Sequence, residues 1–336
     1  MATRLLPLVP GLALTAGLAA LAHGLDAIPA LHGLHLGPLT LAIVLGMALG
    51  NLAPGAWLAR LGPGLHLAQS RLLRLGVVLY GFRLSFAAIA GVGLSGLALD
   101  AAMVVSTLAL GSLLGRRLLG LDRDSALLVA AGSAICGAAA VLATEPVLKS
   151  PPHKAAAAVG TVVLFGTLAM LLYPHLYPLA GLPAGQFGTY LGATVHEVAQ
   201  VVAAGKAIGE PVAASAVVSK MCRVLLLAPF LAWLSWRRRG ESAGQAGPGR
   251  ITIPWFALGF LAAVALNSLL PAGGAWRGVV ETLDSVLLAT AMAGLGLGTT
   301  LAKLRQAGTR PLLLAGLLFL WLVLGGYGLR LALNLF

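Results

Sequence analysis

Gly132-Ser-Ala-Ile-Cys-Gly137 and Gly192-Ala-Thr-Val-His-Glu-Val-Ala-Gln200 each interrupt a long apolar run with residues that a lipid-facing helix does not need. Glycine and small polar side chains are poor helix formers. A helix broken at membrane depth persists only where its freed backbone is buried or lines a wet cavity. The two stretches align without a gap, and the likeness continues from Ala156-Ala-Ala-Val159 to Ala214-Ser-Ala-Val217. A duplicated break predicts an all-α polytopic membrane protein with inverted repeats and broken or re-entrant helices.

The composition agrees. Hydrophobic residues make up 59% of the 336, charged ones 10%, and mean hydropathy is +0.95, against roughly 45–50% and 25% in a soluble domain. Apolar segments fall at 5–22, 38–52, 75–90, 94–115, 125–148, 155–173, 187–204, 212–236, 253–270, 279–301 and 312–333. At about 20 residues per crossing, these ten or eleven segments fill a single domain, 1–336, with 237–250 as a flexible cytoplasmic linker. The apolar start after Arg4 resembles a signal peptide, but further spans follow at once, so it reads as an uncleaved first helix.

A net charge of +12 does not point to nucleic acid, because the basic residues sit in clusters between apolar runs. Arg4, the group Arg60, Arg71 and Arg74, the group Arg116, Arg117 and Arg123, the group Arg237 to Arg239, and the group Lys303, Arg305 and Arg310 alternate as they should for a cytoplasmic N-terminus. Eleven crossings put Lys149 and Lys154 on the wrong side. Re-entrant hairpins at 125–148 and 187–204 return them to the inside; crossing and re-entrant forms both remain open at this point. A second internal match pairs Pro38 and Asn51 with Pro254 and Asn267 at equal spacing, and Asn51 and Asn267 are placed to cap or hydrogen-bond across helices.

The breaks concentrate the polar groups. Gly132, Gly137 and Gly192 mark where helix should fail, and Ser133, Cys136, Gly137 and Thr194 offer backbone and small polar contacts to a substrate. A half-helix starting near Gly137 would present N–H groups to an anion; close helix packing is the plainer use of such small residues. His196 and Gln200 share a helical face with Glu197 beside them, and ionisable groups at membrane depth point to function. His196, Glu197 and Gln200 are accordingly read as a proton- or ion-coupling group, with a structural polar pair as the competing use. His-Glu-Val-Ala-Gln misses the zinc motif by its second histidine, so neither metal, cofactor nor enzymatic activity is expected. Cys136 and Cys222 lie in apolar segments and suggest no disulfide.

Lys220 and Arg223, one helical turn apart, lie too deep to snorkel easily. They suit either an anionic substrate or a salt bridge to Glu197. Arg83 is a candidate for the pathway, while Asp100, Glu145, Glu281 and Asp284 read as interfacial as readily as functional.

These motifs, with Lys220-Met-Cys-Arg-Val-Leu-Leu-Leu-Ala-Pro229, Gly46 to Asn51 and Ala293-Gly-Leu-Gly296, resemble the YeiH-like bacterial sulfate-exporter family over nearly the whole chain. The resemblance implies a bacterial inner-membrane protein grouped with inverted-repeat transporters such as sodium/proton exchangers and bile-acid symporters. One departure is Ala139, where that family tends to have Ser. The expected function is export of sulfate or a sulfonate, with a small anionic solute and the bilayer as partners and a homodimer as the oligomer to test. The alternative is a cation/proton antiporter using Glu197 and Lys220.

Overall fold

The computed structural model describes residues 7–28, 37–241, 255–270, 274 and 276–333. The chain is helical from one end of these residues to the other. First come α1 (Val9–Asp26), α2 (Pro38–Leu52) and α3 (Gly55–Leu67), and α3 continues through a wide turn at Ala68–Leu72 into α4 (Leu73–Tyr80). A break at Leu84, where the backbone is extended, precedes α5 (Phe86–Leu118), which is kinked at Gly93. The predicted segment 75–90 is therefore corrected. Phe82, Leu84 and Phe86 keep the hydropathy high across a boundary that Arg83 and Ser85 actually occupy.

The next helices are α6 (Arg123–Ala134), α7 (Ala138–Leu148), α8 (Pro152–Ala180), α9 (Ala184–Thr194) and α10 (Val198–Ile208). They are followed by α11 (Glu210–Leu225) and α12 (Leu227–Glu241), then α13 (Trp255–Leu269), α14 (Trp276–Gly298), α15 (Leu301–Ala307), α16 (Thr309–Leu320) and α17 (Gly326–Leu333). Six spans, including α11–α12 and α16–α17 taken as continuous rods, are long and apolar enough to cross a bilayer. Leu52, Leu94 and Leu179 are more than 80% exposed, as befits side chains that face lipid tails. Helix α12 runs on through Glu241, so the predicted linker begins later than 237; 242–250 and Pro254 lie outside the described residues.

Segments 125–148 and 187–204 do not cross. Lys154 Nζ donates to Asp122 Oδ1 at 2.7 Å, and a Cβ on Gly132 would meet Val162 at 2.6 Å and Val141 at 2.7 Å. Helix α6 therefore enters parallel to α8, and α7 returns beside it to the face where it began. In the second unit, a Cβ on Gly188 would meet Ser215 at 2.8 Å and one on Gly205 would meet Ala213 at 2.6 Å. Both ends of α9–α10 thus lie at one level of α11, although 17 residues separate them. Two hairpins, α6–α7 and α9–α10, thus enter from opposite faces. Lys149 and Lys154 rejoin the face that carries Arg116 and Arg117, so the charge anomaly disappears.

Asn51 and Asn267 show the second symmetry. Asn51 Nδ2 donates to Thr299 O at 3.1 Å and its Oδ1 accepts from Leu301 N at 2.8 Å, just past the end of α14. Asn267 Nδ2 donates to Leu84 O at 2.9 Å, just past the end of α4. Each asparagine satisfies backbone freed where a helix stops.

The helices form two bodies. Helices α1 to α4, α13 and α14 pack against one another, with α2 and α14 in backbone contact at Gly46 and Gly296. The hairpins, α5, α8, α11 and α16–α17 make the second. Few contacts join the bodies apart from those of α15 with α8.

Candidate functional site

The breaks fall at 135–137 and 195–197, in the register that aligns Gly132 with Gly192. Ending α6 and α9 at mid-depth leaves C-terminal carbonyls carrying the negative end of each half-helix dipole. Starting α7 and α10 there leaves N–H groups with the positive end. Lipid offers neither set a partner, so polar side chains supply them.

Lys220 and Arg223 take the carbonyls. Lys220 Nζ donates to Ile135 O at 2.7 Å and to Val195 O at 2.8 Å, one carbonyl from each hairpin. Arg223 donates through Nε to Ala134 O at 3.0 Å, through Nη2 to Ser133 O at 3.2 Å and to Ala134 O, and through Nη1 to Gly192 O at 3.2 Å and Val195 O at 3.5 Å. Both side chains are fully buried. Of the two uses open to Lys220, an anionic substrate or a salt bridge to Glu197, neither describes these contacts: its ammonium is taken up by main-chain carbonyls at two converging dipole ends.

Glu197 takes the N–H groups. Its Oε1 accepts from Ala138 N at 3.1 Å, the first residue of α7 in the opposite hairpin. It also caps its own helix: the carboxylate accepts from the Gln200 backbone while Gln200 Oε1 accepts from Glu197 N at 3.1 Å. His-Glu-Val-Ala-Gln is thus a capping box, with Gln200 held further by Thr167 at 3.5 Å. One carboxylate neutralises two helix N-termini.

Gly137 makes this approach possible. Its φ of +70° lies where L side chains are strained, and a Cβ there would stand 2.8 Å from Glu197 Oε1 and closer still to Glu197 Cγ. Gly137→Ala is expected to cost about 2–3 kcal/mol through strain and separation of the hairpin tips. Lower melting temperature of the purified protein in detergent is the readout, and an unchanged melt would refute the close approach.

A cavity of about 560 Å³ leads to this point. Cys136, Ala138 and Glu197 form its inner end, and exposed His66, His153 and Gln306 its mouth on the face carrying Lys149 and Lys154. It runs between the two bodies, with Gln69 and Arg74 on one wall and α8 on the other. Of the predicted site residues, Cys136 and Glu197 line it, and Gly137 adjoins them. Ser133, Thr194, His196, Lys220 and Arg223 lie behind, buried at 1% exposure or less. Thr194 is occupied, accepting from Tyr173 OH at 2.6 Å and donating to Tyr190 O at 2.6 Å. Ser133 Oγ and both His196 ring nitrogens have no hydrogen-bond partner in their buried positions.

Asp100 is the residue that sequence reasoning undervalued. It is 1% exposed, and its Oδ1 accepts from Ser219 Oγ at 2.7 Å, one turn from Arg223. An acid near the middle of a 33-residue apolar helix was the available signal. Asp284 is likewise buried, paired with Arg83 Nε at 2.7 Å. Asp100 and Glu197 are the carboxyl groups that interact electrostatically with Lys220, and Asp100 does so with Arg223 as well. Among the described residues no group of three His, Cys, Asp or Glu side chains is placed to hold a metal ion.

Known proteins resemble this chain along nearly its whole length. The family model of conserved hypothetical protein 698 matches residues 10–315. A UPF0324 membrane protein of Pseudomonas aeruginosa is 53% identical over 329 residues, 95% of this chain and 92% of its own. The UPF0324 inner membrane proteins YeiH of Escherichia coli K12 and Salmonella typhimurium are 50% and 49% identical, each over 95% of this chain and 92% of theirs. No solved structure matches.

Proposed function

The chain belongs to the conserved hypothetical protein 698 family of membrane proteins, and from that premise we propose that it is a secondary transporter for a small anion, sulfate or a sulfonate. The observation that carries the reading is the carboxylate of Glu197, seated on two half-helix N-termini at the blind end of a cavity between two loosely joined bodies. Helix N-termini at mid-membrane are sites where transporters hold anionic groups. Glu197 is then the resident counter-ion, and a solute anion arriving through the cavity takes its place while Glu197 accepts a proton. Lys220 and Arg223 then hold the half-helices rather than the solute, which favours this reading over an antiporter that pairs Lys220 with Glu197.

The positive-inside rule places the cavity mouth, Arg116, Arg117 and Lys149 in the cytoplasm, with the N-terminus on the same side. The relatives called inner membrane proteins support the bacterial inner membrane as location. The protein moves its solute without transforming it, and a homodimer is the proposed assembly.

Flux of radiolabelled sulfate and taurine into proteoliposomes, paired with thermal-shift screening against sulfate, sulfite and sulfonates, tests the reading. A saturable flux and a melting shift with at least one of these anions are expected. At a hundred times Kd, a bound anion would stabilise the protein by about 2.7 kcal/mol. Flux no faster than in protein-free vesicles, with no shift for any of the anions, would remove the proposal.

A further inference from the structure

The open cavity meets the first hairpin at its break, and the pseudo-symmetry names the matching residues of the second hairpin. The breaks at 135–137 and 195–197 superimpose Cys136 on His196 and Ala139 on Ala199. Cys136 and Ala139 line the open cavity, whereas His196 and Ala199 are completely buried. His196 also carries two ring nitrogens with no partner, although a neutral imidazole has one donor and one acceptor to satisfy. A buried group left this way calls for something the present arrangement does not supply.

Between the two bodies, on the face opposite the cavity mouth, lies a cluster of charged groups. On α4, Val77 lines the cavity and Tyr80, one turn further, is fully buried. The Lys206 ammonium, near the end of the second hairpin, lies 5.4 Å from the centre of the Tyr80 ring. The Arg83 guanidinium lies 5.7 Å from the centre of the same ring. It is fixed by Asp284 at 2.7 Å, by Ser285 Oγ at 3.1 Å and by Glu281 at 3.6 Å. Lys206 interacts electrostatically with Asp284, Glu210 and Glu281 as well as with Arg83. Lys206 and Glu210 belong to the hairpin body; Tyr80, Arg83, Glu281 and Asp284 belong to the other. Such a contact joins the bodies through a few polar groups and can be exchanged for water when they part.

We infer that the protein adopts a second state in which this Lys206–Tyr80–Asp284 cluster opens and His196 becomes the solute-facing residue of a cavity on the non-cytoplasmic face. The solute site then presents a thiol with Glu197 from one side and an imidazole from the other, and His196 gains the hydrogen-bond partner it lacks. The inference rests on the transporter reading, but its test needs no solute, so the two can fail separately.

The experiment is sided thiol labelling with a membrane-impermeant maleimide, in intact spheroplasts and in inverted vesicles. Reporters are native Cys136 in a Cys222→Ala background, and His196→Cys or Ala199→Cys in a background that also carries Cys136→Ala. Cys136 should label from the cytoplasmic face. Each of the other two should label from the opposite face. Lys206→Met should raise their labelling about tenfold and slow that of Cys136, by moving the population toward the second state. The inference is overturned if both introduced cysteines label only from the cytoplasmic face. It is equally overturned if both stay unlabelled from the opposite face with Lys206→Met while Cys136 in the same Lys206→Met protein labels as usual, which shows the fold intact. Flux of sulfate or taurine, measured separately, decides the transporter reading.

Discussion

Arg223→Ala is expected to destabilise the protein by about 3–5 kcal/mol, the usual cost of removing one partner from a buried charged cluster. The guanidinium donates to carbonyls of Ser133, Ala134, Gly192 and Val195. Alanine would leave the C-terminal ends of α6 and α9 without donors at a depth where water does not replace them. Asp100 would also lose one of the two cations beside it. The melting temperature in detergent should fall by roughly 10 °C or more, with loss of the monodisperse species on size exclusion. Arg223→Lys should recover only part, because a single ammonium cannot fork between two hairpins as the guanidinium does. A substrate-binding arginine behaves differently: its loss weakens anion binding and leaves the melt nearly unchanged. That result would return Arg223 to the solute site.

Much of this architecture is legible in the amino-acid sequence alone. The glycine-rich breaks at Gly132 and Gly192 announce themselves because lipid-facing helices have no use for them, and Lys149 and Lys154 betray the hairpins through misplaced charge. Depth alone marks Lys220 and Arg223 as unusual. Their partners are not legible, since the groups they hold are main-chain carbonyls 85 and 89 residues away, and backbone carries no sequence signature. The equal spacing of Asn51 and Asn267 marks them as candidate caps, but the helix ends they serve, after α14 and after α4, show only in the fold. Glu197 and Gln200 could have been read as a capping box from their spacing of three. The near match to a zinc motif drew attention to the histidine instead. Asp100 is lost in a hydropathy window that Ala, Leu and Val dominate.

Glu197 separates the chemistry of transport from the integrity of the fold. Glu197→Gln keeps an amide oxygen for the N–H groups of Ala138 and Gln200, so stability should change by no more than about 1 kcal/mol. Glu197→Ala removes the cap from both half-helices and should cost about 2 kcal/mol. The charge itself matters for binding. A solute anion and an ionised carboxylate cannot share two helix N-termini, so anion binding requires Glu197 to take up a proton as it gives way. Linkage then fixes the sign: in the wild type, anion affinity rises as pH falls, by up to about tenfold per unit while Glu197 remains ionised in the empty protein. In Glu197→Gln no proton is taken up, so affinity should be flat with pH and flux driven by a proton gradient should drop at least tenfold, while exchange of anion for anion persists. Affinities measured by thermal shift between pH 5.5 and pH 8, with flux under imposed pH gradients of either sign, provide the comparison. A glutamine variant that retains the wild-type pH slope would place the coupling proton elsewhere. Asp100, buried beside Ser219 with one oxygen unpartnered, would then be the next residue to replace.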